Sequence, residues 1–403
     1  MIPLEEALEI VLRQALTLPD EKVDLLSSPG RVLAEDIWGE FDIPAFHRAA
    51  MDGYAIMARD TISASKTKPV ILKVAGELAA GGGIESKVRP GQAIRIMTGA
   101  PMPEGADAVV MMEDTDSEGE KVKIFKCIRE GENVSFAGED VKKGEKVLSR
   151  GTLIRPQEVG MLAALGRREV RVTQKPRVAI ISTGDEVLEP GEKLEIGKIY
   201  DSNSFALFSQ VRASGGEPQR IGIVRDDPEE LLSVVQKAVS SCDILLLSGG
   251  VSEGKYDLVK QVLEEAGVKI LFWKVATKPG KPTLFGIKGN KLVFGLPGYP
   301  VSSMMNFENL VKPAIFKMLG HKDYKKKFKI KAILKEEVKN SSGRKNFIRV
   351  RLVEEDGKYW AIPAPSQKSG VLKSMLWANG IVVMAENVKK LRAGDEVVVE
   401  VLG

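Results

Sequence analysis

A chain of 403 residues is longer than one hydrophobic core serves, so several domains are expected. Its 43% hydrophobic content and mean hydropathy of −0.08 are those of a soluble globular protein, and a net charge of +4 does not by itself argue for nucleic acid. Two cysteines, Cys127 and Cys242, and two histidines, His47 and His321, supply neither a disulfide framework nor metal-ligand spacing. They argue against a structural zinc site or Ser–His–Asp chemistry, and the cysteines read as ordinary buried thiols of a reducing compartment.

The chain opens with "MIPLEEALEIVLRQAL", where Leu4, Ala7, Leu8, Val11, Leu12 and Ala15 recur at helical spacing with acids between them. This is an amphipathic helix, not a secretory leader. No uncharged stretch reaches the length of a membrane span, so the expected location is cytoplasmic. From 44 to 145 the pattern becomes short β-rich runs broken by glycine, as in "PVILKVAGELAAGGG" and "GQAIRIMTGAPMPEGADAVVMME". Pro156 then opens a helix at its first turn, and the chain is expected to return to its first region. That makes 44–145 an inserted β-rich domain between 1–43 and 146–173.

Residues 174–320 alternate strand and helix: "RVAIIS", "SFALFSQVRASGG", "RIGIV", "DDPEELLSVVQKAV", "DILLLS", "DLVKQVLEEAG" and "KILFWKVA". Asp227 is read as N-cap, with Pro228 at N1 and Glu230 at N3. "TLFGIKGNKLVFGLP" is a hairpin turning at Gly289-Asn290, and "VSSMMNFENLVKPAIFKMLG" is a final helix. Short connections between alternating elements require a mostly parallel sheet covered on both faces, an α/β sandwich. The lysine-rich run at 321–331 reads as a solvated link or strand edge. Residues 325–403 read as a small all-β unit, a barrel.

Ligands of open parallel sheets sit beyond the carboxyl ends of the strands. Those ends here are "STGDEV", "RDDPEE", "SGGVSEGKYD", "KVATKPGKP" and "GLPGYPVSS". Backbone N–H groups and lysines favour phosphate oxygens, whereas carboxylates at the same mouth repel a bare phosphate. A hard cation such as Mg²⁺ reconciles the two, so a pyrophosphate-bearing ligand is expected. Each piece also has a plain structural reading. Asp227 caps a helix, Asp257 can cap the next one, and Gly249-Gly250 can permit a tight turn.

The stretches "AAMDGYA", "RIMTGAPMPEGADAVV", "ISTGDEV", "IYDSN", "LLLSGGVSEGKYD", "FWKVATKPGKPTLFG" and "GLPGYPVSS", in this order, resemble the MoeA-type molybdopterin molybdenumtransferases, relatives of the gephyrin E domain. The resemblance runs over essentially the whole chain. It implies a four-domain subunit in a homodimer whose cleft is shared between subunits, with 1–43 and 146–173 as linker and dimerisation region. The α/β domain at 174–320 would be similar to molybdopterin adenylyltransferases. The implied reaction inserts molybdate, or tungstate, into adenylylated molybdopterin and releases AMP with Mg²⁺ present. Transient contact with the adenylyltransferase is implied as well; nucleic acid and membrane are not.

Carried over by motif, Glu186, Asp226 and Asp257 resemble the acids that hold the metal ion and phosphates, and Lys274 and Lys278 the functional lysines. Asp52 and Thr98 resemble site residues of the insertion. Gly249, Gly250, Ser252, Lys281, Pro297, Pro300, Arg349 and Ser369 are expected to line the pterin-nucleotide site. Two departures stand out. Tyr299 takes a position where bacterial members often have asparagine, and it is expected to pack, the other reading being that it stacks on a planar ring. His47-Arg48 replace an acid and a polar residue. The competing readings are a molybdopterin adenylyltransferase and a non-catalytic cofactor-binding scaffold.

Overall fold

The computed structural model describes residues 1–81, 86–250, 256–322 and 327–402; the side chains of Tyr256 and Asp257 also lie outside the description. The main sheet of the α/β unit has six strands among the described residues: Arg177–Thr183, Glu217–Val224, Ile244–Ser248, Lys269–Trp273, Leu284–Lys288 and Lys291–Leu296. Taken in that chain order, they lie side by side as second, first, third, sixth, fifth, fourth. Pairing is parallel from the second strand to the sixth, and the fifth alone runs against its neighbours. The hairpin between fifth and sixth closes at Lys288 and Lys291, around the Gly289-Asn290 turn read from the sequence.

Both faces of this sheet are apolar because a parallel strand is covered on both sides. Val178, Ile180, Leu246 and Phe294 point to one core, and Ala179, Ile181, Leu247 and Val293, one residue out of phase, point to the other. Helices Pro228–Ser241 and Tyr256–Glu265 cover the second face. The first face is covered by Asn203–Ala213, by the segment 307–319 and by the N-terminal helix Leu4–Gln14.

That last contact corrects the grouping of 1–43 into one region. Ala7, Val11 and Ala15 are fully buried in the α/β core, and Ile2 bridges Val275 in parallel. The helix carries one apolar stripe, and the nearest apolar surface is the sheet-covering layer Leu310–Ile315 rather than the distant strands of its own region. Asp20–Asp24 pairs Glu169–Thr173, Ile37–Trp38 pairs Lys146–Leu148, and Leu33, Ile37, Val141, Ile154 and Val172 share a core.

The final helix is broken. A π-helical turn, Phe307–Val311, separates Pro300–Asn306 from Lys312–Met318. Pro313 has no N–H to give and its ring would strike the carbonyl four residues back, so the preceding turn widens.

Between the paired flanks, Ala108–Met111, Gly53–Ile56, Gln92–Ile96, Val70–Leu78, Lys121–Ile124 and Thr115–Glu118 form one sheet in that spatial order. Cys127 is exposed beyond the end of this sheet, not buried as expected, because it lies in a polar turn outside the strand pattern; Cys242 is buried. At the C-terminal end, Lys345–Glu355, Lys358–Pro363, Lys329–Leu334, Glu396–Val401 and Gly380–Met384 pair in sequence and the last returns to the first, closing a barrel. Thr277–Lys278 adds to the barrel strand at Lys345 and Asn346, so the α/β unit hands one of its own loops to the barrel.

Candidate functional site

Along the carboxyl edge of the α/β sheet the loops stand in the order Arg225–Asp227, Gly184–Glu186, Gly249–Gly250, Pro297–Tyr299 and Lys274. Acids are at one end, a glycine turn is in the middle, and lysine is at the other. The glycines are required by close approach. A Cβ on Gly249 would lie 2.2 Å from the Thr183 carbonyl oxygen, and Gly250 would meet Thr183 Oγ1 at 2.7 Å, both at positive φ. Ser182 Oγ, Thr183 Oγ1 and Asn203 Oδ1 are buried here and have no hydrogen-bond partner among the described residues. Buried polar atoms left in this state at a strand edge suit a polar ligand.

At the acidic end, Gly184, Asp185, Lys198, Arg225, Asp226 and Asp227 are among the residues that line a hollow of about 750 Å³. Asp226 N–H donates to Asp185 Oδ1 at 3.2 Å, tying the two acidic loops together. Asp227 caps its helix through Glu230 N–H at 2.8 Å, as the sequence indicated. The Glu186 carboxylate folds back over Gly184, 2.6 Å from where a Cβ would stand. Among the described residues no three His, Cys, Asp or Glu side chains gather as a metal cluster. Ser252 and the side chain of Asp257 lie outside the described residues, so the expected third acid has no described geometry.

The larger cavity, about 1030 Å³, opens between the α/β unit and the barrel. Lys278, Lys281, Pro297, Tyr299, Ser302, Arg344, Lys368, Ser369 and Gly370 line it, with Glu336 and Glu337 on the barrel side. Its floor is held rigidly. Asn306, 3% exposed, donates through Nδ2 to the Gly280 carbonyl at 3.1 Å and to Thr283 Oγ1 at 2.5 Å. Thr283 Oγ1 in turn donates to the same carbonyl at 2.8 Å. Lys274, in the left-handed region at φ +72°, places its ammonium 4.5 Å from the Trp273 ring centroid. It stands at the strand end while Lys278 and Lys281 line the cleft.

Arg349 differs from expectation. It is 1% exposed, and its guanidinium donates to Ser374 Oγ at 3.3 Å and to the carbonyls of Phe347, Ser366 and Lys368 at 3.4 Å. Burial pushes its pKa down to about 10. It therefore shapes the 366–369 loop from behind, and that loop presents Gln367, Lys368 and Ser369 to the cleft. The Ser369 carbonyl accepts from Val301 N–H at 3.1 Å, next to Pro300. Tyr299 is 65% exposed, so the packing expected of it does not occur. A tyrosine at a strand-to-helix corner, directly before Pro300, has no apolar layer to enter.

Asp52 and Thr98, 46 positions apart, meet in the inserted unit: Thr98 N–H and Oγ1–H both donate to Asp52 Oδ1 at 2.7 Å. The Thr98 hydroxyl, then its amide, hold the Asp52 carboxyl below the usual carboxylate range. This pair lines neither cavity. Two positions escaped the sequence reading. Asn203 donates to Ser248 Oγ at 2.9 Å and to the Gly298 carbonyl at 2.8 Å, clamping two strand ends, and Asn306 holds the lysine loop. For Asn203 the signal was its place in "IYDSN"; no local pattern singled out Asn306, whose segment also carries Ser302, Ser303 and Asn309.

Three family models match successive parts of the chain: MoeA N-terminal region (domain I and II) over residues 2–166, probable molybdopterin binding domain over 179–317, and MoeA C-terminal region (domain IV) over 331–402. The chain belongs to the MoeA family. It is 36% identical over 400 residues to the molybdopterin molybdenumtransferase of Bacillus subtilis (strain 168), covering 98% of this chain and 93% of that one. The protein of the same description from Haemophilus influenzae is 36% identical over 404 residues, covering 99% and 98%. The crystal structure of the molybdopterin biosynthesis MoeA protein from Pyrococcus horikoshii OT3 is 40% identical, with a TM-score of 0.87 over all of both chains. MoeA architecture thus accounts for both the inserted sheet and the terminal barrel, which a lone α/β enzyme would lack. No described helix is long and apolar enough to cross a membrane.

Proposed function

We propose that this MoeA-family chain is a molybdopterin molybdenumtransferase. It takes adenylylated molybdopterin and a tetrahedral oxyanion, molybdate or tungstate, and delivers the metal to the dithiolene with release of AMP. The observation that supports this most is that the strand-edge loop Pro297–Tyr299 forms part of the cleft that Lys278, Lys281 and Ser369 line. The turn at Gly249-Gly250, where the close approach of Thr183 excludes side chains, would let phosphate oxygens come near the strand end, while the lysines draw in and neutralise anions. The asymmetry of the edge orients the ligand, since a diphosphate cannot lie on the acidic loops without a cation.

The donor chemistry fits Mg²⁺, which takes one or two carboxylates together with phosphate oxygens. Glu186 and Asp226, on neighbouring strand ends, would hold it, with Asp257 following the next strand; bound there it supplies charge neutralisation for the diphosphate. The chain's own contribution is positioning: Asn203 and Asn306 fix the loops, and Arg349 fixes the wall that carries Ser369. Asp52 and Thr98 line neither cavity of their own subunit, which favours a homodimer in which they reach the α/β unit of a second copy. A transient contact with the adenylyltransferase would pass the reactive nucleotide on directly.

The test supplies purified adenylylated molybdopterin with each oxyanion and Mg²⁺ and measures AMP. Oxyanion-dependent AMP release is the expected result. Formation of adenylylated pterin from ATP and free molybdopterin, with no oxyanion needed, would assign the adenylyltransferase step instead. Normal molybdoenzyme maturation in cells carrying Asp257→Ala would favour the scaffold.

A further inference from the structure

We propose that Tyr299 is an aromatic platform on which the planar fused heterocycle of the substrate stacks; this rests on the transferase reading above. The ring is 65% exposed although it stands in the wall of the cavity of about 1030 Å³ that Lys278 and Lys281 also line. An exposed aromatic inside a cleft retains the apolar area that a ring normally buries, and a planar ligand can cover it. Its mount is rigid. Asn203 holds the Gly298 carbonyl at 2.8 Å, the Tyr299 carbonyl accepts from Ser303 N–H at 3.0 Å, and Pro300 fixes the next φ. The ring also lies 3.5 Å from where a Gly370 Cβ would stand, in ordinary contact with a residue that has no side chain to cover it. A ring held this way loses little freedom when a ligand stacks on it. The anionic groups of the same ligand would meet the lysines nearby, so one cleft offers both contacts.

The test measures binding of AMP and of pterin-6-carboxylate by calorimetry, and turnover as AMP release, for wild type, Tyr299→Phe and Tyr299→Ala. Stacking on a base is worth about 1–3 kcal/mol, so Tyr299→Ala should weaken one probe by about fivefold to about 150-fold. Tyr299→Phe should stay within about twofold, because the ring and not the hydroxyl acts. KM should rise in step with kcat little changed. Loss confined to the pterin assigns the platform to that ring, and loss confined to AMP assigns it to adenine. Unchanged binding of both probes by Tyr299→Ala, or equal loss in Tyr299→Phe, overturns the inference. Wild-type KM in an AMP-releasing Tyr299→Ala enzyme sinks the platform and leaves the transferase reading intact. A wild type that releases no AMP sinks that reading, while the probe titrations still judge the platform.

Discussion

Replacing Asn306 with alanine isolates the role of the lysine loop's mount. The substitution removes two donor contacts from a site that is 3% exposed, to Gly280 O at 3.1 Å and Thr283 Oγ1 at 2.5 Å. Gly280 O keeps the Thr283 hydroxyl at 2.8 Å, so no carbonyl is orphaned and the loss is limited to the net worth of the two bonds. At about 0.5–1.5 kcal/mol each, the change costs roughly 1–3 kcal/mol. For a unit of this size that is a drop of about 2–12 °C in melting temperature. The functional effect should be larger, because misplacement of a binding loop by about 1 Å can cost about a hundredfold in rate. Lys278 and Lys281 ride on that loop and line the cleft. Thermal unfolding followed beside AMP release should show a modest loss of stability and a kcat/KM reduced by about tenfold or more. If the variant melts with wild type and turns over within about twofold of it, the loop does not depend on Asn306 and the reasoning is refuted.

Gly249→Ala would push a methyl to within 2.2 Å of the Thr183 carbonyl at φ +99°, so a loss of about 3–5 kcal/mol is expected, measured by denaturant unfolding. Glu186→Gln and Asp226→Asn should each raise the Mg²⁺ concentration needed for half-maximal AMP release by about tenfold, with melting temperature little changed. An unaltered Mg²⁺ requirement in both would remove them from the cation site. The Asp52 carboxyl, with its pKa lowered by Thr98, contributes stability that is present above its unfolded pKa and lost as pH falls through the folded one. Thr98→Val should therefore flatten the acid limb of the stability profile below about pH 4. Thiol titration should find Cys127 reactive in the native protein and Cys242, whose pKa burial raises to about 11, reactive only after unfolding.

The alternation of strand and helix over 174–320 was legible because each period is local: four consecutive buried residues, Ile244 to Leu247, need both faces covered wherever they sit. The cap at Asp227, the hairpin at Gly289-Asn290 and the closed C-terminal barrel were readable for the same reason. Which loops share a strand edge also follows from that alternation, and it led to the acids, the glycines and Lys274. The pairing of Asp52 with Thr98, by contrast, rests on strands that meet across 46 positions, and no local pattern encodes that distance.

The helix Leu4–Gln14 shows the division most directly. Its apolar stripe was written in the sequence, yet which of two apolar surfaces it covers was settled only when Val275 and Leu310 were brought beside it. Arg349 and Tyr299 were placed by the same kind of choice. A long cation turned inward to hold the carbonyls of a loop, and an aromatic ring was left in the open cleft. Residue type sets what a side chain can bond to. Only the packing of distant segments decides whether water, protein or ligand is there to meet it.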